Sequence, residues 1–487
     1  MSTTTVEVAV IGAGASGIGA AIKLLEEGVD FVVLEKADRL GGTWRDNTYP
    51  GCACDVPSGL YSYSFAPKPD WSRAFAGQPE ILDYLDDTAT RYGIRPHLRL
   101  GVEVIDAQWD GGEWRLTTSQ GEVRARFLIA AAGPWHEPQL PAVPGLETFP
   151  GPAFHSARWD HDVDLTGKRV AVVGTGASAV QFVPQIAAQV ERLHLFQRTP
   201  QWVLPKPDGR VPAPVQRALD KVPGLHRALR GGQYLSVETV GFAFRHPSLQ
   251  APLKAIGRAN IRAGVKDDQL RRRLTPSWAV GCKRILLSND YYPALARPNV
   301  DVHATGLAEV RGSTVVGADG TEVEADVLVF GTGFKILDMP VAGRVRDAAG
   351  RTLADRWQGS PQAYLGTTVA GFPNLFLVLG PSLGTANSAF VVIEAQLAYA
   401  LQAIRHARAA GASVEVRTAV QAGFNDQVQA ALPGTVYNSG GCRSYYFDIN
   451  GRNSFSWPWS TDRMVEALSR FDPDDYEQVA TTKEQVA

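Results

Sequence analysis

Val6-Glu-Val-Ala-Val-Ile11 runs straight into Gly12-Ala13-Gly14-Ala15-Ser16-Gly17, and a helical pattern from Ile18 to Glu27 follows. A short β-branched run, a glycine turn and a helix in that order predict the opening of a Rossmann-type unit. Gly12 permits the tight turn, Gly14 lets a pyrophosphate approach the backbone, and Gly17 allows the helix to lie close, with the phosphate at the helix N-terminus. The next strand-like run, Phe31 to Leu34, ends at Glu35, 23 positions after Gly12. A carboxylate there can accept hydrogen bonds from ribose hydroxyls.

The same order recurs further along: Arg169 to Val173, then Gly174-Thr175-Gly176-Ala177-Ser178-Ala179, then a helical run Val180 to Val190. Gly174, Thr175, Gly176 and Ser178 are the nucleotide contacts expected of this second turn. No acid ends its following strand; Leu193 to Phe196 leads into Gln197-Arg198-Thr199. A carboxylate at that place would repel a 2′-phosphate, whereas Arg198 can bind one, so the second unit is expected to prefer NADP to NAD. Two nucleotide sites in one chain imply that one cofactor hands electrons to another, and NADPH to flavin is the natural pair.

Composition agrees with a large soluble globular protein. The chain has 487 residues, 45% apolar and 20% charged, with a net charge of −2. At roughly 150 residues per domain this suggests about three domains. The near-neutral balance gives no footprint for wrapping nucleic acid. No uninterrupted apolar stretch reaches the ~18 residues a membrane span needs, and the N-terminus lacks a basic leader pattern. Cys52, Cys54, Cys282 and Cys442 match no zinc spacing and are expected as reduced thiols, which suits the cytoplasm. No metal-ligating cluster and no Gly-x-Ser-x-Gly elbow is evident. Trp457 and Trp459 read as C-terminal core.

From position 207 to 276 the strand pattern fades and 13 Lys/Arg stand against 5 Asp/Glu. This reads as a helical lobe with a solvated basic face. The expected architecture is α/β, with two Rossmann-like dinucleotide-binding domains and a helical insert. Residues 1–143 and 334–487 form a discontinuous FAD-binding domain, 144–207 and 282–333 an NADP-binding domain with its linker, and 208–281 the insert.

The residues just after the first unit point to the electron acceptor. Disulfide reductases share the plan but need two cysteines just after a Gly-Gly-Thr turn. Here Gly41-Gly42-Thr43 is followed by Trp44, and Cys52 and Cys54 stand too close together for that pair. Oxygen is the expected acceptor. Phe149-Pro-Gly151-Pro-Ala-Phe-His155-Ser-Ala-Arg-Trp159-Asp160, just before the second turn, fills every position of the pattern Phe-x-Gly-x-x-x-His-x-x-x-Trp-Pro/Asp. On it the chain resembles the type I Baeyer-Villiger monooxygenases, class B flavoproteins, over nearly its whole length. Gly-Gly-Thr-Trp at 41–44, Tyr-Pro-Gly at 49–51 and Cys-Lys-Arg at 282–284 agree.

The resemblance implies an NADPH- and FAD-dependent enzyme that inserts one atom of O₂ beside a ketone or aldehyde carbonyl through a flavin C4a-peroxide, giving an ester or lactone. By it, Asp55 and Arg284 flank the flavin ring, Thr43, Trp44 and Tyr61 contact FAD, and Lys283 joins Arg198 and Thr199 around the 2′-phosphate. His155 and Trp159 belong to the linker and couple domain movement to catalysis. Tyr445 stands where the family commonly has a tryptophan on the nicotinamide side, and both a contact and plain core packing are compatible with it. An N- or S-oxygenase is the alternative activity, and a non-oxygenating reductase a third. A fixed cation is what the chemistry asks for: at about 4 Å and an effective dielectric near 20, a guanidinium attracts an anion by roughly 4 kcal/mol, about three pKa units.

Overall fold

The computed structural model describes residues 3–479. Its first strand, Thr3–Ile11, lies in the middle of an eight-stranded sheet, parallel to Phe31–Glu35 on one side and Gly121–Ala130 on the other. Val8, Ala9 and Val10 are wholly buried, as a β-branched run covered on both faces must be. Antiparallel strands Trp114–Thr118 and Val104–Trp109 extend the sheet, and Leu98–Leu100 closes the other edge. Two short strands from much later in the chain join it: Val345–Arg346 beside Val104–Trp109, and Leu375–Leu377 beside Gly121–Ala130. The first sheet is thus assembled from both ends of the chain.

The first helix, Ala15–Glu26, starts three residues before the helical pattern, at the second half of the glycine turn. It packs on the long helix Ala389–Ala410. A Cβ on Gly19 would come within 3.1 Å of Leu397 and 3.0 Å of Tyr63, so only glycine lets the helices approach this closely. Ser388 caps the long helix by accepting from the Phe390 amide, and Gly411 ends it with φ +62°.

The second sheet is wholly parallel, in the order Val300–His303, Arg192–Phe196, Arg169–Val173, Val327–Phe330, Ala153–His155. Its glycine turn leads into the helix Ala177–Ile186, which stops four residues short of the predicted Val190. Pro184 brings no amide hydrogen to the last turn, and Gln189 and Val190 both donate back to the Ile186 carbonyl instead.

The segment predicted to be helical is so: Ala213–Lys221, Leu225–Arg245, Gln250–Gly264 and Asp268–Leu274. Most of its basic residues are exposed, among them Arg217, Arg227, Arg258 and Arg272. Arg230 is one of the partly buried ones and docks the lobe: its Nη1 donates to the carbonyls of Gly59 and Ser62, each at 2.9 Å. Trp457 is buried and Trp459 packs against the core. No helix among the described residues is long and apolar enough to cross a membrane.

Candidate active site

A cavity of about 1910 Å³ is walled by residues of the second sheet, of the loops that follow strands of the first, of the insert and of the C-terminal segment. Pockets for one small ligand are typically ~300–1,000 Å³, so this space suits two nucleotides side by side. Its walls carry Thr43, Trp44, Asp55, Tyr61, Gly174, Thr175, Gly176, Arg198, Thr199, Lys283, Arg284 and Tyr445. Twelve of the residues singled out from sequence, drawn from segments up to 400 positions apart, therefore meet in one place.

Arg284 and Asp55 form a two-point ion pair, Nε to Oδ2 at 3.0 Å and Nη2 to Oδ1 at 2.7 Å. The guanidinium's side chain is 41% exposed, and the exposed part faces the cavity. Asp55 raises the Arg284 pKa above its already high range, against the opposing pull of burial. Tyr445 and Tyr446 lie near enough to feel its charge. The loop carrying Asp55 is held by Gln181 from the second helix. Gln181 Oε1 accepts from the Tyr49 hydroxyl at 2.8 Å and its Nε2 donates to the Ala53 carbonyl at 2.9 Å. A side chain at Gly51 would run into Gln185 and the Gln181 carbonyl, which is why Tyr-Pro-Gly leads to this loop.

Lys283 and Arg198 present two cations to the same end of the cavity. Lys283 Nζ donates to Thr199 Oγ1 at 2.9 Å and sits over the Trp278 ring at 4.7 Å, while the Thr175 hydroxyl donates to the Thr199 carbonyl. The Arg198 stem passes beside Gly306, where an added Cβ would meet it at an ordinary 3.7 Å. Burial and then the charge of Arg198 push Lys283 down to about 8. Two cations that repel one another fit an anionic phosphate, which relieves both. Above about pH 8 the free protein loses the Lys283 proton, so the KM for NADPH is expected to climb, by roughly tenfold per pH unit at most. The KM for NADH should stay level; equal rises for both cofactors would remove the phosphate role.

At the first turn, Gly12 has φ +101° and an added Cβ would sit 2.7 Å from the Ala131 carbonyl oxygen. A Cβ at Gly17 would overlap the Gly12 carbonyl, whereas one at Gly14 would meet only Gly42 at 3.5 Å. Gly14 thus leaves a cradle that a methyl group would fill. Glu35 is buried beneath the turn: Oε2 accepts from the Ala13 amide at 2.8 Å, Oε1 from Ala37 at 3.0 Å, and Arg45 lies 3.2 Å away. Gly12, Gly14, Gly17, Glu35 and Ser178 do not line the cavity. Trp44 Nε1 donates to the Tyr61 hydroxyl at 3.1 Å, and Tyr61 stands edge-on to Phe390.

The second turn solves the packing problem with the methyl on the other side. Gly174, φ +105°, faces the Gly331 carbonyl as Gly12 faces that of Ala131, so positions 131 and 331 correspond. The first unit pairs Gly17 with Ala131; the second pairs Ala179 with Gly331. A Cβ on Gly331 would come within 3.1 Å of the Ala179 methyl, so each turn has room for one methyl at this contact.

Three sequence expectations change. Core packing is excluded for Tyr445, which is 39% exposed and lines the cavity beside Arg284. Of the four cysteines expected as thiols, Cys282 and Cys442 are joined in a disulfide, while Cys52 and Cys54 are free; a sequence separation of 160 hid the contact. A His/Asp cluster does exist: His194, Asp301 and His303 come together on adjacent parallel strands, though Arg192 already holds both oxygens of Asp301, at 2.6 and 2.8 Å. Sequence reading also missed Gln181 and Trp278, which carry no motif; only their neighbours reveal them. His155, expected in a linker, ends the edge strand of the second sheet; it is buried, edge-on to Phe334 and pushed down to about 4 by burial, so it stays neutral.

The sequence model of the pyridine nucleotide-disulphide oxidoreductase family matches residues 9–222, from the first turn past the second. A Baeyer-Villiger monooxygenase of Streptomyces coelicolor is 50% identical over 490 residues, covering 99% of this chain and 94% of its relative. Another, of Pseudomonas aeruginosa, is 43% identical, with 98% and 92% covered. Among solved structures, cyclohexanone monooxygenase from Rhodococcus sp. Phi1 bound to NADP⁺ superposes with a TM-score of 0.87 at 29% identity, over 98% of this chain and 100% of that one. Full-length likeness at this level, on top of two strand–glycine turn–helix units in one chain, places the chain in the family of Baeyer-Villiger monooxygenases.

Proposed function

We propose that the protein oxygenates a ketone or aldehyde at the expense of NADPH: ketone, O₂, NADPH and a proton give an ester or lactone, NADP⁺ and water. The observation that carries this reading is the Asp55–Arg284 pair, which fixes a cation in a cavity large enough for two nucleotides. FAD supplies the chemistry that activates O₂, and NADPH supplies the two electrons. Arg284 holds negative charge on the oxygen that attacks the carbonyl carbon, and Asp55 keeps the guanidinium aimed. Thr43, Trp44 and Tyr61, with the turn at Gly12, Gly14 and Gly17, hold FAD. Arg198, Thr199 and Lys283 hold the 2′-phosphate, Gly174, Thr175 and Gly176 the pyrophosphate of NADPH, and Tyr445 closes the nicotinamide side. Val240, Phe244, Leu383 and Phe455 give the walls an apolar stretch suited to the hydrocarbon part of a ketone.

In this reading residues 1–143 with 334–487 serve FAD, 144–207 with 282–333 serve NADP, and 208–281 cover the cavity. Dependence on NADPH suits the cytoplasm. Turnover with NADPH and a ketone panel tests the proposal: ester or lactone is expected, and hydrogen peroxide as sole product, or sulfide turnover with no ketone turnover, would overturn it.

A further inference from the structure

Cys282 and Cys442 each stand beside residues the proposed chemistry depends on. Cys282 precedes Lys283 and Arg284; Cys442 precedes Arg443, Ser444 and Tyr445, and all of these except Cys282 line the cavity. The two segments are fitted closely. The Ala279 amide donates to the Gly440 carbonyl at 2.9 Å, and the Cys442 amide points at Cys282 Sγ at 3.1 Å. A side chain on Gly440 would collide with Cys282, and one on Gly281 with the Phe244 ring. Cys282 is wholly buried, whereas Cys442 is partly exposed at the cavity wall. Cys442 is therefore the sulfur that a small oxidant in the cavity reaches first. In a compartment that keeps thiols reduced, a disulfide so placed reads as a responsive one rather than a permanent staple.

We propose that Cys282 and Cys442 are a peroxide-responsive thiol pair whose oxidation locks the Arg284 segment to the Tyr445 loop. In the reduced protein the Cys442 thiolate attacks hydrogen peroxide and displaces hydroxide, leaving a sulfenic acid. The Cys282 sulfur then attacks Cys442 Sγ, and the sulfenic hydroxyl leaves as water. Two thiols and one H₂O₂ give one disulfide and two waters, and a dithiol reductant reverses the bond while becoming a disulfide itself. The peroxide comes from NADPH oxidation that fails to find a ketone; this source and the reducing compartment rest on the proposed function. Leaked oxidant would thus fasten the part of the site where coupling is decided.

The test uses the full-length holoprotein, reduced with dithiothreitol, desalted without oxygen, and given either one equivalent of hydrogen peroxide or NADPH with dissolved O₂ and no ketone, beside a control given O₂ alone. Denaturing alkylation is expected to label all four cysteines before oxidation and only Cys52 and Cys54 after it. Amide hydrogen exchange across 440–446 is expected to slow at least about tenfold on oxidation, and Cys442→Ser should remove both responses. Cys282 and Cys442 still alkylated after added peroxide, a bond that dithiothreitol cannot open in the folded protein, or unchanged exchange across 440–446 would each overturn the pair. Oxidation by added peroxide but not by NADPH, with no peroxide released, would instead sustain the pair and overturn the oxygen-using reading.

Discussion

An Arg284→Ala variant is expected to form ester or lactone about a thousandfold more slowly while still oxidising NADPH and releasing hydrogen peroxide. The magnitude follows from charge alone: roughly 4 kcal/mol of attraction at about 4 Å and an effective dielectric near 20 corresponds to about three factors of ten in rate. Arg284→Lys keeps the charge but not the paired bonds of 3.0 and 2.7 Å to Asp55. A lysine ammonium is a point charge without the planar fork, so it should recover less than about a tenth of the lost rate. Asp55→Asn leaves the cation present but less firmly aimed, and an intermediate loss is expected. Product and peroxide, measured together per NADPH consumed, separate these cases. Ester formation by the alanine variant within tenfold of the native rate would remove Arg284 from the chemistry.

Two substitutions in the first glycine turn should separate holding FAD from holding the fold. A Gly14→Ala methyl meets only Gly42 Cα, at an ordinary 3.5 Å. The chain should therefore fold with a stability within about 1 kcal/mol of native. The same methyl fills the cradle where the pyrophosphate approaches, and losing charge-assisted hydrogen bonds worth about 1.5–3 kcal/mol weakens FAD binding by roughly 10–100-fold. Gly17→Ala differs, because its Cβ overlaps the Gly12 carbonyl and the turn must move. Overpacking against backbone is expected to lower the stability of the FAD-free protein by about 3 kcal/mol or more, in addition to emptying the site. Flavin absorbance per protein, with the denaturation midpoint of the FAD-free form, reads both quantities. Full flavin content in Gly14→Ala would remove the turn from cofactor binding.

The parts of the site read from sequence are those in which a backbone requirement dictates residue type. A turn with φ +101° at Gly12 and +105° at Gly174 admits little besides glycine, so those positions announce themselves. Glu35 shows the limit of this reasoning. Its position marks it as a nucleotide carboxylate, yet its oxygens rest on the Ala13 and Ala37 amides, so it also braces the turn from below. Ser178, placed by motif alone, lies away from the cavity walls. The exchange of the methyl between Gly17–Ala131 and Ala179–Gly331 involves positions more than a hundred residues apart in the chain and shows only in the packing of the two turns.

Local pattern determined the two strand–turn–helix units and the helical character of 208–281, while the residues expected beside FAD and the nicotinamide cofactor came largely from the resemblance to a family. The units and the helices depend on interactions over a few positions, where residue type and spacing suffice. Only the tertiary structure decided that Asp55 grips Arg284, that Gln181 holds the loop between them, that Tyr445 faces the cavity, and that Cys282 reaches Cys442. Each of these contacts joins segments more than a hundred positions apart, and no local preference of the chain encodes which distant surface a side chain will meet once the sheets have packed.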